Sequence, residues 1–115
     1  MNEGTLPHQK LTAYHLALEF LRRVHEAPIR DADQRAQARK SAKSAKSAAR
    51  NIAEAAGRWS RADKARVFAI ARGEVCEACA AVEIAAAVGG ANAEDVKAVN
   101  ALGKRLSDVL SRLVT

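Results

Sequence analysis

Apolar residues recur along this chain at intervals of three and four, in four stretches separated by short polar or glycine-containing breaks. That spacing is the signature of amphipathic α-helices. In the first stretch Leu11, Tyr14, Leu18 and Leu21 form the seam, and Ala17, Phe20 and Val24 widen it to a face. It predicts a helix from near Gln9 to Ala27, stopped by Pro28. Residues 1 to 8, with Gly4 and Pro7 as breakers, read as a loose arm, and residues 28 to 32 as a turn. The second stretch opens at Asp33, a good N-cap, and has a seam of Ala38, Ala42, Ala45, Ala49, Ile52 and Ala56, with Gly57 as its C′ residue. The third starts at Ser60 with Asp63 completing a capping-box variant. It turns Phe68, Ala71, Val75, Ala78 or Cys79, Val82 and Ala86 inward, and Gly89-Gly90 ends it. The fourth is capped by Asn92, carries Glu94 and Asp95 in its first turn, and has Val99, Leu102, Leu106, Val109 and Leu113 as its seam. No run alternates with the period of two that a half-buried strand requires.

Four amphipathic helices with short connections predict an all-α fold, an antiparallel up-down-up-down four-helix bundle filling one domain over residues 1–115. The structural alternative is an extended helical hairpin that completes its core only in an oligomer. Composition bears on that choice. The chain holds 27 Ala against 22 Leu, Ile and Val, and only four aromatics. Alanine favours the helix but buries little surface, so a lone copy has a thin core, and self-association is one remedy.

Charge adds a second layer. The net charge is +6, a balance that favours polyanions. Residues 1–32 are neutral, 33–56 carry +4, 57–72 carry +4, 73–95 carry −5 and 96–115 carry +3. The positive charge therefore gathers on helix 2, the loop after it and the start of helix 3, while the second half of helix 3 is acidic. In an antiparallel hairpin this reads as a molecule polar from end to end. Arg35, Arg39, Lys43, Lys46 and Arg50 come close to one continuous stripe along helix 2, at spacings of 4, 4, 3 and 4. A charged helix face is either a solvated surface or a binding surface, and the clustering favours binding. The first four residues are polar and no apolar run is long enough to cross a membrane, so the expected setting is cytoplasmic with reduced cysteines.

Candidate chemistry is sparse. Cys76-Glu-Ala-Cys79 lies in mid-helix without a second ligand pair, which fits two small core fillers better than zinc or redox chemistry. Glu74, Glu77 and Glu83 lack the Glu-x-x-His partners that carboxylate-bridged di-iron bundles use. No metal, cofactor or catalytic residue is expected. Ser41, Ser44 and Ser47 have no nearby histidine base and are expected to permit close helix packing. Trp59, among Arg58, Ser60 and Arg61, either stacks on a base or caps the end of the bundle. Asn51 and Glu54 share a face, and with Arg66 they are expected to make structural polar contacts: an ion pair from Glu54 to Arg66 and a hydrogen bond from Asn51 across the same interface. Gly73, inside helix 3, costs stability unless a backbone comes close there.

Ser47-Ala-Ala-Arg-Asn-Ile-Ala-Glu54, followed by Arg58, Ser60, Lys64 and then Ile70-Ala-Arg-Gly73 with Glu77, resembles the bacterial proteins encoded by 23S ribosomal RNA intervening sequences. In that family a Ser-x-x-x-Asn-Ile-Ala-Glu-Gly motif ends helix 2, and an Ile-Ala-Arg-Gly-Ser-x-x-Glu motif lies in helix 3. Leu11, Ala13-Tyr14 and Ala17 extend the likeness over nearly the whole chain. Two positions depart from the pattern: Ala55 replaces a glycine and Glu74 replaces a serine. The resemblance implies a four-helix bundle assembled as a homopentamer, with no known enzymatic activity. Related accessory variability determinant proteins of diversity-generating retroelements bind reverse transcriptase and nucleic acid through a basic surface. By that analogy the chain is expected to be a non-enzymatic oligomer that binds RNA, or else DNA, largely without regard to sequence. Arg39, Lys43, Lys46, Arg50, Arg58 and Arg61 are the expected phosphate contacts and Trp59 the candidate stacker. The alternative is a protein-interaction scaffold, an adaptor in a retroelement or ribonucleoprotein complex with a partner such as a reverse transcriptase.

Overall fold

A computed structural model describes residues 4–29 and 35–115 of the chain. It is a rod of 47 × 25 × 20 Å built from four helices, α1 (Thr12–Glu26), α2 (Arg35–Ala56), α3 (Arg61–Ala87) and α4 (Ala93–Val114). A short 3-10 turn, Pro7–Lys10, precedes them, and there is no strand among the described residues. Each helix packs on its neighbours in sequence, and α1 closes the ring against α4. Cross-helix bonds show the antiparallel course of α2 and α3: Lys64 reaches the carbonyl of Ala56 at the turn, Asn51 reaches Glu74 midway, and Lys40 lies by Glu77 further on. The fold is the expected all-α four-helix bundle.

Local chemistry accounts for the ends. Ser60 Oγ accepts from the Asp63 N–H at 3.0 Å, and Asn92 Oδ1 accepts from the Asp95 N–H at 2.8 Å, so both predicted caps are in place. At the end of α3, Gly89 takes φ +83°. Its N–H bonds the carbonyl of Ala86 and that of Gly90 bonds Ala85, the paired pattern of a Schellman stop that a left-handed glycine allows. Gly57 differs from its expected role. It follows α2 without entering the left-handed region, because its N–H is already taken up by Ala53 and Glu54 and the chain turns straight into the α3 cap. The start of α1 also differs. Leu11 is extended at φ −85°, ψ 123°, so the run from Gln9 is split into the 3-10 turn and a helix starting at Thr12. Within the arm the Leu6 N–H donates to Gln9 Oε1 at 2.7 Å, and the His8 ring meets Tyr14 edge-on at 4.7 Å. Asp33, the expected cap of α2, lies outside the described residues, as does most of the 28–32 turn.

The core is as alanine-rich as composition suggests; α3 buries Phe68, Ala71, Val75, Ala78 and Val82 as its spacing predicts, while the faces of the other three helices are rotated from the predicted seams. On α1 the fully inward residues are Ala13, Leu16, Ala17, Phe20 and Val24, while Leu11, Tyr14, Leu18 and Leu21 are only partly buried. A broad apolar face has two edges, and Tyr14, Leu18 and Leu21 lie on the edge toward α2, where they line an open groove. On α2, Ser41, Ser44, Ala45, Ala48, Ala49, Ile52 and Ala55 are buried, whereas Ala38, Ala42 and Ala56 sit at the edges. The buried serines permit the close packing expected of them, and Ser41 satisfies its hydroxyl on the carbonyl of Ala38 at 3.0 Å. On α4 the inward line is Val99, Gly103, Leu106 and Leu110. A Cβ on Gly103 would lie 2.5 Å from Cys79 Sγ and 3.3 Å from Phe20 Cε1. This glycine is the notch that lets α1 and α3 approach α4. Gly73 has no such reason within the chain, since a Cβ there would meet nothing within 4 Å.

Candidate nucleic-acid interface

The predicted cations of α2 fall on one side of the helix. Arg39, Lys43, Lys46 and Arg50 line the surface, opposite Ile52 and Ala45. Among the described residues none of the four makes an ion pair or side-chain hydrogen bond, and neither does exposed Arg61 at the start of α3. These side chains are free to meet phosphate. Lys40 stands apart, turned toward α3 with its Nζ 3.9 Å from Glu77. The side chain of Arg35 lies outside the described residues.

Arg58 behaves differently from the other predicted phosphate contacts. Its guanidinium donates to Glu54 and, at 3.1 Å, to Asp63 Oδ2. Arg66 also donates to Asp63, at 3.0 Å. The expected Glu54–Arg66 pair is therefore replaced by a chain Glu54–Arg58–Asp63–Arg66, because Arg58, at i+4 from Glu54, takes that carboxylate, and Arg66 pairs with Asp63 one turn away on its own helix. The hydrogen bond from Arg66, with the charge of Arg58, holds the Asp63 carboxyl below its ordinary range, and the hydrogen bond that Arg58 donates to Glu54, followed by the charge of Asp63, raises Arg58 further. Asn51 does bond across to α3, donating to Glu74 Oε1 at 2.7 Å, and Ser47 Oγ donates to the other oxygen of the same carboxylate. Both residues of α2 thus converge on Glu74.

Trp59 sits at the tip between α2 and α3 and is 99% exposed. It does not cap the bundle. The backbone around it is well held, by the Gly57 and Arg58 N–H bonds into the last turn of α2 on one side and by the Ser60 cap on the other.

Charge is segregated by face rather than by end. Because α2 and α3 run antiparallel, the cationic half of α2 lies beside the acidic half of α3, not at the opposite pole. The outer face of α3 presents Glu77, Ala80, Glu83 and Ile84, all exposed, with Ile70 and Val88 further along. The outer flank of α1 forms an open groove with α2 of about 320 Å³, lined by Tyr14, Leu18, Leu21, Ala49 and Ala53 and rimmed by Lys46 and Arg50. A second groove of about 290 Å³ continues it past Leu21 to Arg22 and His25. The periodicity of α3 held a signal for this, since Ile70, Gly73, Glu77, Ala80 and Ile84 repeat at 3 and 4 beside the buried seam. A helix apolar on two faces is prepared for a second contact.

Of the two expected core fillers, Cys79 does pack against the core and Cys76 does not. Cys76 is exposed and Cys79 is partly buried against the Gly103 notch. Burial, then the neighbouring Cys76 and Glu83, push the Cys79 thiol up to about 11. Only the thiolate reacts, so at pH 8 about one Cys79 in a thousand is ionised. Limited alkylation with iodoacetamide at pH 8, read by peptide mass, is expected to modify Cys76 and spare Cys79. Labelling of Cys79 should speed up about tenfold per pH unit toward 11, and early modification of Cys79 at pH 8 would contradict this environment. Among the described residues no three His, Cys, Asp or Glu side chains come together in a metal-binding group, and no helix is long and apolar enough to cross a membrane.

Against known proteins, a family model described as 23S rRNA-intervening sequence protein matches residues 9–112. No curated protein matches the chain.

Proposed function

The chain belongs to the 23S rRNA-intervening sequence protein family, and from that footing we propose that it is a non-enzymatic, self-associating cytoplasmic bundle that binds RNA, or else DNA, through α2 and the α2–α3 loop. One observation carries the reading: Arg39, Lys43, Lys46, Arg50 and Arg61 lie at the surface and, among the described residues, without a carboxylate partner. Surface cations on a helix gain from carboxylates at i±3 or i±4. Here the one such carboxylate, Glu54 at i+4 from Arg50, is taken by Arg58, and the remaining acids beside the stripe lie on α3, which leaves a positive face suited to a polyanion. Contacts of this kind position a phosphate backbone without reading bases.

Self-association rests on apolar surfaces beside the cationic face, with Lys46 and Arg50 at the shared rim. The groove between α1 and α2 has an apolar floor, and the outer face of α3 is apolar with carboxylates. The two complement each other but lie on different sides of one copy, so they pair head to tail between copies, the contact that closes rings such as the expected pentamer.

Fluorescence anisotropy with a labelled structured RNA, titrated at several salt concentrations, tests the binding. Five free cations predict a log–log slope of about −3.5, so that affinity falls about 100-fold between about 50 and about 200 mM salt. Light scattering on the same sample reads the assembly. Absence of binding at the lower salt, or affinity indifferent to salt, would end this reading. Retention of an acidic protein partner after nuclease treatment would favour the scaffold in its place.

A further inference from the structure

The proposed surface is electrostatic and would accept any phosphate backbone, but one feature of it is not electrostatic. Trp59 is the chain's sole tryptophan and exposes 99% of its surface at the tip between α2 and α3. The two phenylalanines, Phe20 and Phe68, are buried, and Tyr14 is half-covered in the α1–α2 groove. A large aromatic ring left wholly in water gives the fold no burial energy. Its use lies outside the chain.

The setting narrows what the ring meets. Ser60 caps α3 on one side, and the Gly57 and Arg58 N–H groups close the last turn of α2 on the other. Arg58 is clamped between Glu54 and Asp63, and Lys64 ties the start of α3 to the Ala56 carbonyl at 2.8 Å. The ring therefore stands on a short, braced turn, so that a ligand stacking on it orders little backbone. Arg61, exposed and free of carboxylates among the described residues, is two positions away. Arg50 lies about 10 Å back along α2, seven residues from Gly57 at about 1.5 Å each. An aromatic platform on a cationic path is the arrangement that holds single-stranded nucleic acid. A uniform duplex cannot use it, because its bases are stacked inside and only its backbone is presented.

Resting on the binding reading above, we infer that Trp59 is a stacking platform for an unpaired base, and that it makes the surface selective for nucleic acid with unpaired nucleotides over continuous duplex. The α2 cations hold the strand, and Trp59 takes one base that is free of a partner. The ligand class is an RNA or DNA loop, bulge or single strand.

Because Trp59 is the sole tryptophan, its emission reports on this site alone. The protein would be titrated at low salt with a labelled RNA hairpin carrying an open loop and with a blunt RNA duplex of the same length, reading anisotropy and tryptophan emission together. The hairpin should quench the emission and bind about 10-fold more tightly than the duplex, the worth of one stacked base. Trp59→Ala should bring hairpin affinity down to that of the duplex and leave duplex affinity unchanged, while Trp59→Phe should keep much of the preference. Equal affinity for both RNAs with unchanged emission would overturn the inference and leave the electrostatic reading standing. So would a Trp59→Ala variant that weakens both RNAs alike. Failure of both RNAs to bind would fell the electrostatic reading and this one with it. A blue shift of emission on raising protein concentration without RNA, or on adding phosphatidylglycerol vesicles, would place the ring against another copy or a lipid surface and equally overturn it.

Discussion

Phe20→Ala is expected to lose about 3–5 kcal/mol of unfolding free energy. Phe20 is 0% exposed and heads the fully buried side chains by size. The surrounding core is mostly Ala and Val, which are short and cannot swing into the hole, so the site collapses poorly and the cost sits at the upper end. Against a typical total of about 5–15 kcal/mol this is a large fraction. Urea unfolding followed by helical circular dichroism measures it, since Trp59 is too exposed to report on the core. The Phe20 ring lies 3.3 Å from where a Gly103 Cβ would stand, which supplies a second check. Gly103→Ala crowds the wild-type core, at about 1–3 kcal/mol for overpacking offset by about 1 kcal/mol of helix propensity. In the Phe20→Ala background the same methyl still meets Cys79 Sγ at 2.5 Å but is relieved of the Phe20 contact, and Cys79 can shift into the space the ring leaves. The double variant should therefore be more stable than the two single effects predict, and strict additivity would mean that the two residues are not coupled.

The triple variant Lys43→Gln, Lys46→Gln and Arg50→Gln is expected to weaken RNA binding about 100-fold at about 100 mM salt and to flatten the salt slope from about −3.5 to about −1.4, each neutralised cation removing about 0.7. The fold should be spared, because these side chains lie at the surface and are unpaired among the described residues and glutamine is a good helix former. Anisotropy across a salt series gives both numbers, and a circular dichroism melt confirms folding. Neutralising Lys104 and Arg105, exposed cations on α4, makes the control and should leave the slope within about 0.7 of wild type. A triple variant with an unchanged slope would move the binding surface off α2.

Much of this was legible before any coordinates. Caps such as Ser60 and Asn92, and the Gly89-Gly90 stop, depend on residues close together along the chain, so local sequence carries them. The free cations of α2 were legible for the same reason, since helix 2 holds no acid between Arg35 and Arg50 to neutralise them. What escaped was long-range. Arg23 on α1 donates to buried Asp95 on α4 at 2.7 Å, a pair 72 positions apart that no periodicity foreshadows. Glu54 and Arg66 each found nearer partners at the turn, Arg58 and Asp63. Trp59 could be read as cap or stacker until the fold left it bare.

The chain by itself determined four helices, most of their ends, a thin alanine core and a cationic α2, because each follows from spacing or composition within one segment. The spacing also determined the inward line of α3, where Phe68, Ala71, Val75, Ala78 and Val82 are buried; the tertiary structure decided the centre of the buried face on α1, α2 and α4, since that depends on how closely neighbours approach, and the Gly103 notch governs the approach. It also decided that the acids of α3 lie beside the cations of α2 on a different face, because antiparallel packing brings together segments that are remote along the chain.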